Sequence, residues 1–256
     1  MSVFDAFQLQ GKSALITGGS KGLGKSMALA LAQAGADVAI CSRNSDEAQE
    51  VAAEIALETG QRTFGFVADV SDRASVLQLT ADCNAAMGKV DILINNAGVN
   101  VRKPTVELTE EDWDYVVDVS VKGSFFCTQA FFPGMIERKW GRVIMLGSIM
   151  SYISLPGRAA YSTAKAALLG LTRTLALEGA PHGVTVNCIC PGPFETPLNR
   201  ALMNDPIAYQ AFIAKIPMGR WGQPEELGAT ALFLSSDASA FMTGTSLIID
   251  GGWTAQ

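Results

Sequence analysis

The stretch SALITGGSKGLGKSMALALAQAG, residues 13–35, changes character at a glycine-rich turn. Its first five residues form a short run of apolar and β-branched side chains, the pattern of a buried strand. From Lys25 the chain reads KSMALALAQAG, a helical pattern that ends at a glycine. Between the two, Gly18, Gly22 and Gly24 make a G-x-x-x-G-x-G spacing. Missing side chains there allow a tight turn and let a pyrophosphate approach the positive end of the helix. A glycine turn alone can be a plain connector. The strand before it and the helix after it make this one a dinucleotide signal.

The same alternation extends along the chain. DVAICS, TFGFVA, DILIN, RVIMLGS, VTVNCIC and SLIID read as strands, and SDEAQEVAAEIALE, RASVLQLTADCNAAM, EEDWDYVV, FFCTQAFFPGMIE and RAAYSTAKAALLGLTRTLALE as helices. Thr109 to Asp112 fits a helix N-terminal cap. Strand alternating with helix predicts βαβ units: an α/β fold with a doubly wound parallel sheet, helices on both faces, and ligand sites at the C-terminal ends of the strands. No composition break, repeat or linker divides the 256 residues, so residues 1–256 are expected to form one dinucleotide-binding and catalytic domain.

A hydrophobic share of 48% suits a sheet buried on both faces. No apolar run is long enough to span a bilayer, and the first residues lack a basic segment followed by an apolar one, so a cytoplasmic protein without a membrane partner is expected. The net charge of −6, with both signs interspersed, offers nucleic acid no basic stripe. Five cysteines show no metal-ligand spacing, and His182, the only histidine, lies in the turn-like APHG; no metal is expected, and histidine-based triads and HExxH sites are excluded.

Tyr161-Ser-Thr-Ala-Lys165 places a phenol and an ammonium four residues apart, on one face of a helix. With TGGSKGLG, Asn95-Asn-Ala-Gly98, Ser148 and Pro191-Gly-Pro-Phe-Glu-Thr196, the pair stands in an order and spacing that resemble the short-chain dehydrogenase/reductase family over nearly the whole chain. The resemblance implies a Rossmann-type sheet, a nicotinamide cofactor and a homotetramer. It also implies the site residues: Ser148, Tyr161, Lys165 and Ser120 for catalysis, with Ser148 and Tyr161 at the substrate. Cofactor contacts would come from Gly18, Ser20, Lys21, Gly22, Leu23 and Gly24 in the turn, Ser42 and Arg43 after the second strand, and Asp69 and Val70 after the third. Asn96, Ala97, Gly98, Tyr161, Lys165, Pro191, Gly192, Phe194 and Thr196 would complete them. A free tyrosine has a pKa of about 10, and a nearby cation favours its phenolate. In the implied mechanism Tyr161 exchanges a proton with the substrate oxygen, Ser148 hydrogen-bonds that oxygen, and Lys165 also holds the nicotinamide ribose.

One position departs from the family pattern: Ser120 stands where an asparagine usually helps hold a relay water, which is either a tolerated polar swap or a change in rate. At the cofactor, no acid follows the second strand, and Arg43 with Lys21 offers cations for a 2′-phosphate; NADP(H) is therefore expected over NAD(H), which stays possible. Arg102, with Lys103 adding field, either clamps a substrate carboxylate or is an ordinary loop or interface arginine. NVRKP, LPGRAAY and IPMGRWGQPEEL resemble gluconate 5-dehydrogenases and related sugar-acid dehydrogenases; 3-oxoacyl-carrier-protein or other small-ketone reductases, and a non-enzymatic dinucleotide sensor, are the alternatives. Residues 194–226 read either as a mobile lid or as a surface helical excursion.

Overall fold

The computed structural model describes residues 2–199 and 204–256. Seven strands, β1 (Ser13–Thr17), β2 (Asp37–Ser42), β3 (Thr63–Val67), β4 (Ile92–Asn95), β5 (Gly141–Leu146), β6 (Val184–Pro191) and β7 (Ser246–Ile249), form one sheet in the order β3-β2-β1-β4-β5-β6-β7. All six neighbouring pairs are parallel. The chain starts in the middle, winds outward to β3, then crosses back to β4 and winds the other way. That reversal opens a crevice between the C-terminal ends of β1 and β4, where ligands bind in such sheets.

Helices α1 (Gly22–Gln33), α2 (Ser45–Thr59), α3 (Arg73–Met87), α4 (Glu110–Val117), α5 (Gly123–Arg138), α6 (Ala159–Gly179), α7 (Pro206–Ile213) and α8 (Pro224–Ser235) connect and cover the strands. Successive side chains of a strand point to opposite faces. Thus Leu15 of β1 packs with Leu79 of α3, Phe131 of α5 and Leu168 of α6, whereas Ala14 and Ile16 pack with Leu31 of α1, Ile55 of α2 and Leu234 of α8. Each face has its own core, so the strands must be apolar throughout. All five cysteines are free and buried in these layers.

Local chemistry sets the helix ends. Asn44 accepts hydrogen bonds from the Asp46 and Glu47 amides to start α2, and Gly60 ends it at φ 72°. Thr109 and Asp112 form the expected capping box of α4. Between α4 and α5 the helical run widens into a π-helical turn, Asp118–Lys122, which carries Ser120.

Helix α8 was not legible as an element in the sequence, because Gly228 interrupts its pattern. It falls partly in the segment read as a lid, yet its start is fixed by a Gln223–Glu226 capping box and a Glu226–Arg220 ion pair at 2.6 Å, and its Leu227, Ala231 and Leu234 are buried. The fixed part of the molecule therefore begins before residue 226; of the expected lid, residues 200–203 lie outside the described residues.

Candidate active site

The glycine turn is built by close approach. A Cβ on Gly24 would stand 2.4 Å from the Gly18 carbonyl oxygen, and Gly18 and Gly22 have φ of 63° and 53°, a region costly for other residues. Thr17 and Asn96 lock this turn to the end of β4. The Thr17 hydroxyl oxygen accepts from the Asn96 and Ala97 amides at 3.1 and 3.0 Å, and the Asn96 side-chain amide donates to the Thr17 and Gly18 carbonyls at 2.8 and 2.9 Å. Two sequence motifs 79 positions apart thereby become one wall. Asn95, next to them, points into the core and donates to the Thr128 hydroxyl at 3.0 Å, tying α5 to β4.

Two pockets meet along that wall, sharing Gly18, Lys21, Ala97, Gly98 and Val99. The first continues past Gly22, Leu23 and Asn96 to Ser148, Tyr161, Lys165 and Arg102, and is closed by Pro191, Gly192, Phe194 and Thr196. The second runs over the ends of β2 and β3, past Ser20, Ser42, Arg43, Asp69 and Val70. Every residue expected at the site lines one pocket or the other, except Gly24, buried under the turn, and Ser120. The Ser120 hydroxyl is buried with no partner, and its carbonyl accepts from the Ser124 hydroxyl at 2.7 Å. A Cβ on Gly98 would sit 3.4 Å from Lys165 Nζ and 3.6 Å from Ser120 Oγ, so the bare glycine keeps a gap between the ammonium and the hydroxyl. A long two-lobed trough, bordered by the N-terminus of α1, fits an extended dinucleotide.

Ser148 follows β5 and caps the short helical turn Ile149–Ser151. Its oxygen accepts from the Met150 amide at 3.1 Å, leaving its O–H free to donate elsewhere. Ser151 ties the same turn to α6 by donating to the Lys165 carbonyl at 2.9 Å, which fixes Ser148 relative to Tyr161. Lys165, 4% exposed, donates to the Leu146 carbonyl at 2.6 Å and stands 5.7 Å from the centre of the Tyr161 ring. The i, i+4 pair thus shares one face, with the ammonium buried behind the phenol.

The two lobes differ in charge. In the β2 lobe, Asp69 is held below the usual carboxylate range, first by the Ser71 hydroxyl at 2.6 Å and more weakly by Arg43. Lys21 is not a free cation there: its ammonium donates to Glu47 at 2.6 Å, and Glu47 lines the pocket as well. Lys103 likewise pairs with Asp112 at 2.5 Å and does not line the catalytic lobe, so its charge is spent on the cap of α4 rather than added to Arg102.

Sequence reasoning missed the far wall of the catalytic lobe. Met150, Leu155, Phe212, Trp221 and Trp253 line it, with Arg158 at the start of α6. Phe212 packs face-on against Trp221 at 5.8 Å and edge-on against Trp253 at 5.4 Å. These residues come from three distant segments, and only the folded sheet brings them together. Arg158 alone had a local signal, three residues before Tyr161 at the N-terminal end of the helix that carries it.

Comparison with known proteins agrees with this geometry. Residues 18–254 match the family model described as Enoyl-(Acyl carrier protein) reductase. The chain is 41% identical over 254 residues to oxidoreductase UcpA of Salmonella typhimurium, covering 96% of each, and 38% identical over 256 residues to gluconate 5-dehydrogenase of Gluconobacter oxydans, covering all of both. A solved gluconate 5-dehydrogenase from Burkholderia cenocepacia, in complex with NADP and tartrate, superimposes with a TM-score of 0.96 at 38% identity over the full length of both chains. The chain belongs to the short-chain dehydrogenase/reductase family, and it is an NAD(P)-dependent oxidoreductase that interconverts a secondary alcohol and a ketone.

Proposed function

We propose that the protein is an NADP(H)-preferring dehydrogenase of sugar acids or closely related hydroxy acids, acting on a secondary alcohol beside a carboxylate-bearing chain. The observation that carries this reading is Arg102 in the same lobe as Ser148 and Tyr161. A guanidinium can grip a carboxylate through two hydrogen bonds, fixing the rest of the molecule relative to the phenol. The apolar lining of the lobe, with Met150, Leu155 and Phe212, suits the C–H side of a hydroxylated chain. Gluconate and 2-dehydro-3-deoxy-D-gluconate dehydrogenases among the relatives support the substrate class, and NADP in the Burkholderia structure supports the cofactor.

When bound, NADP(H) supplies or accepts the hydride. The chain's own residues manage the oxygen. Ser148 donates its free O–H to the substrate oxygen and orients it. Tyr161 takes the alcohol proton during oxidation and returns one to the carbonyl oxygen during reduction. The buried Lys165 ammonium stabilises negative charge on the phenol oxygen as the proton leaves. Ser120, through its hydroxyl or its carbonyl, borders the route by which a proton reaches Lys165. At the other lobe Arg43 and Ser42 receive the 2′-phosphate. Residues 1–256 act as one unit, since both lobes draw on the same sheet.

The exposed side chains of Val106, Trp113, Tyr115 and Phe125, on and beside α4 and α5, accord with assembly of the chain into a homotetramer, which light scattering would measure. Five reduced cysteines accord with a cytoplasmic setting, and no helix among the described residues is long and apolar enough to cross a membrane. The test of function is turnover of D-gluconate and of neutral alcohols with NADP and NAD, followed by nicotinamide absorbance. Arg102→Ala should raise KM for the acid while leaving a neutral ketone nearly unaffected. Equal loss on both, or on neither, would discard the carboxylate reading.

A further inference from the structure

The catalytic lobe holds a second guanidinium besides Arg102. Arg158 lines it beside Tyr161, with its guanidinium carbon 6.0 Å from the centre of the phenol ring. Neither guanidinium forms an ion pair or a hydrogen bond among the described residues; Arg158 stands only over the Tyr161 ring. Of the other cations that line the two pockets, Lys21 is tied to Glu47 and Lys165 to the Leu146 carbonyl. Arg158 is also the residue before α6, yet its side chain makes no capping bond, so the helix does not need it. Burial and then the like charge of Arg102 hold the Arg158 guanidinium below its ordinary value. Two like charges facing one cavity without a counter-ion are a cost to the unliganded fold, and an anion between them removes it.

We infer that Arg158 is a substrate-binding residue that acts with Arg102, the two guanidiniums holding the anionic group of the substrate from two sides. This rests on the proposal that the substrate carries a carboxylate, and deepens it. Arg102 hangs from the loop after β4, whereas Arg158 belongs to the segment that positions Tyr161. Arg158 therefore ties the carboxylate to the catalytic phenol itself, and the distance from anion to reacting carbon becomes a selected quantity. Hydroxy acids whose alcohol lies at the wrong number of carbons from the carboxylate are held out of reach of Tyr161.

The experiment measures binding of two carboxylate probes, D-gluconate and tartrate, to the NADP-loaded protein by calorimetry, with the dissociation constant of NADPH recorded alongside. Arg158→Ala should weaken both acids by roughly tenfold to a hundredfold, the size of a lost charge-assisted hydrogen bond, and leave NADPH binding unchanged. Arg158→Lys should restore part of the loss. Because the two arginines share one anion, Arg102→Ala combined with Arg158→Ala should cost less than the product of the single effects. If Arg102→Ala weakens the acids and Arg158→Ala does not, the role of Arg158 is wrong and the carboxylate reading stands. Equal weakening of acids and NADPH by Arg158→Ala would mean a structural role and also overturn it. Wild-type protein that binds neither acid overturns both readings.

Discussion

The two lobes of the site share a wall but are made in opposite ways. The cofactor lobe is assembled from the first strand-turn-helix unit and the ends of the next two strands; two of its charged groups already have partners, Lys21 on Glu47 and Asp69 on Ser71. The catalytic lobe gathers the ends of β4, β5 and β6, the start of α6, helix α7 and the chain near Trp221 and Trp253, and its two guanidiniums have no ion-pair or hydrogen-bond partner among the described residues. Much of the first lobe's charge is paired before anything binds. The second is left electrostatically open, which suits a surface whose ligand must leave after every turnover.

If the division is right, changes in one lobe should leave the other's ligand untouched. The largest effect belongs to the phenol. Tyr161→Phe should lower kcat on the order of a hundredfold to ten-thousandfold, the usual worth of a general acid or base, with NADPH affinity unchanged by fluorescence titration. A parallel loss of cofactor binding would break the separation. Next comes Ser42→Asp, which sets a carboxylate where the 2′-phosphate is received. Like charges about 4 Å apart oppose each other by roughly 1–4 kcal/mol, so the ratio of kcat/KM with NADP to that with NAD should fall at least about fivefold. Preference for NAD in the unaltered protein would refute the premise. The smallest effect sharpens the contrast: Glu47→Gln frees Lys21 for the phosphate and should tighten NADPH roughly twofold to fivefold, as for an exposed ion pair, while NADH affinity stays constant. Tightening of both would mean that Glu47 acts on the pyrophosphate side instead.

The same contrast explains what the sequence revealed. The strands and their helices were legible because a sheet covered on both faces demands continuous apolar runs, as β1 demonstrates by sending Leu15 to one core and Ile16 to the other. The glycine turn and the Tyr161–Lys165 pair were legible because their geometry is set within one turn of chain. Trp221 and Trp253 were not, since nothing local marks an aromatic side chain as pocket wall rather than core. Pairing was equally hidden: Lys21 and Lys103 looked like free cations, and only the fold revealed that Glu47 and Asp112 engage them. Arg158 was overlooked for the opposite reason, as an arginine at a helix start has too many ordinary explanations.

The π-helical turn at Asp118–Lys122 works as a phase shifter between two helices that answer to different neighbours. On one side of it Val116 of α4 packs against Ala160 and Ala164 of α6, and on the other Cys127, Phe131 and Met135 of α5 fill the core beneath the sheet. An α-helix turns about 100° per residue, so removing one residue here would restore regular hydrogen bonding and still rotate one helix by about that angle against the other. The length of this segment is thus fixed by two interfaces at once. Composition can drift at Ser120, but the count of residues cannot, and a family member that has lost one there must have rebuilt the contact of α4 with the catalytic helix.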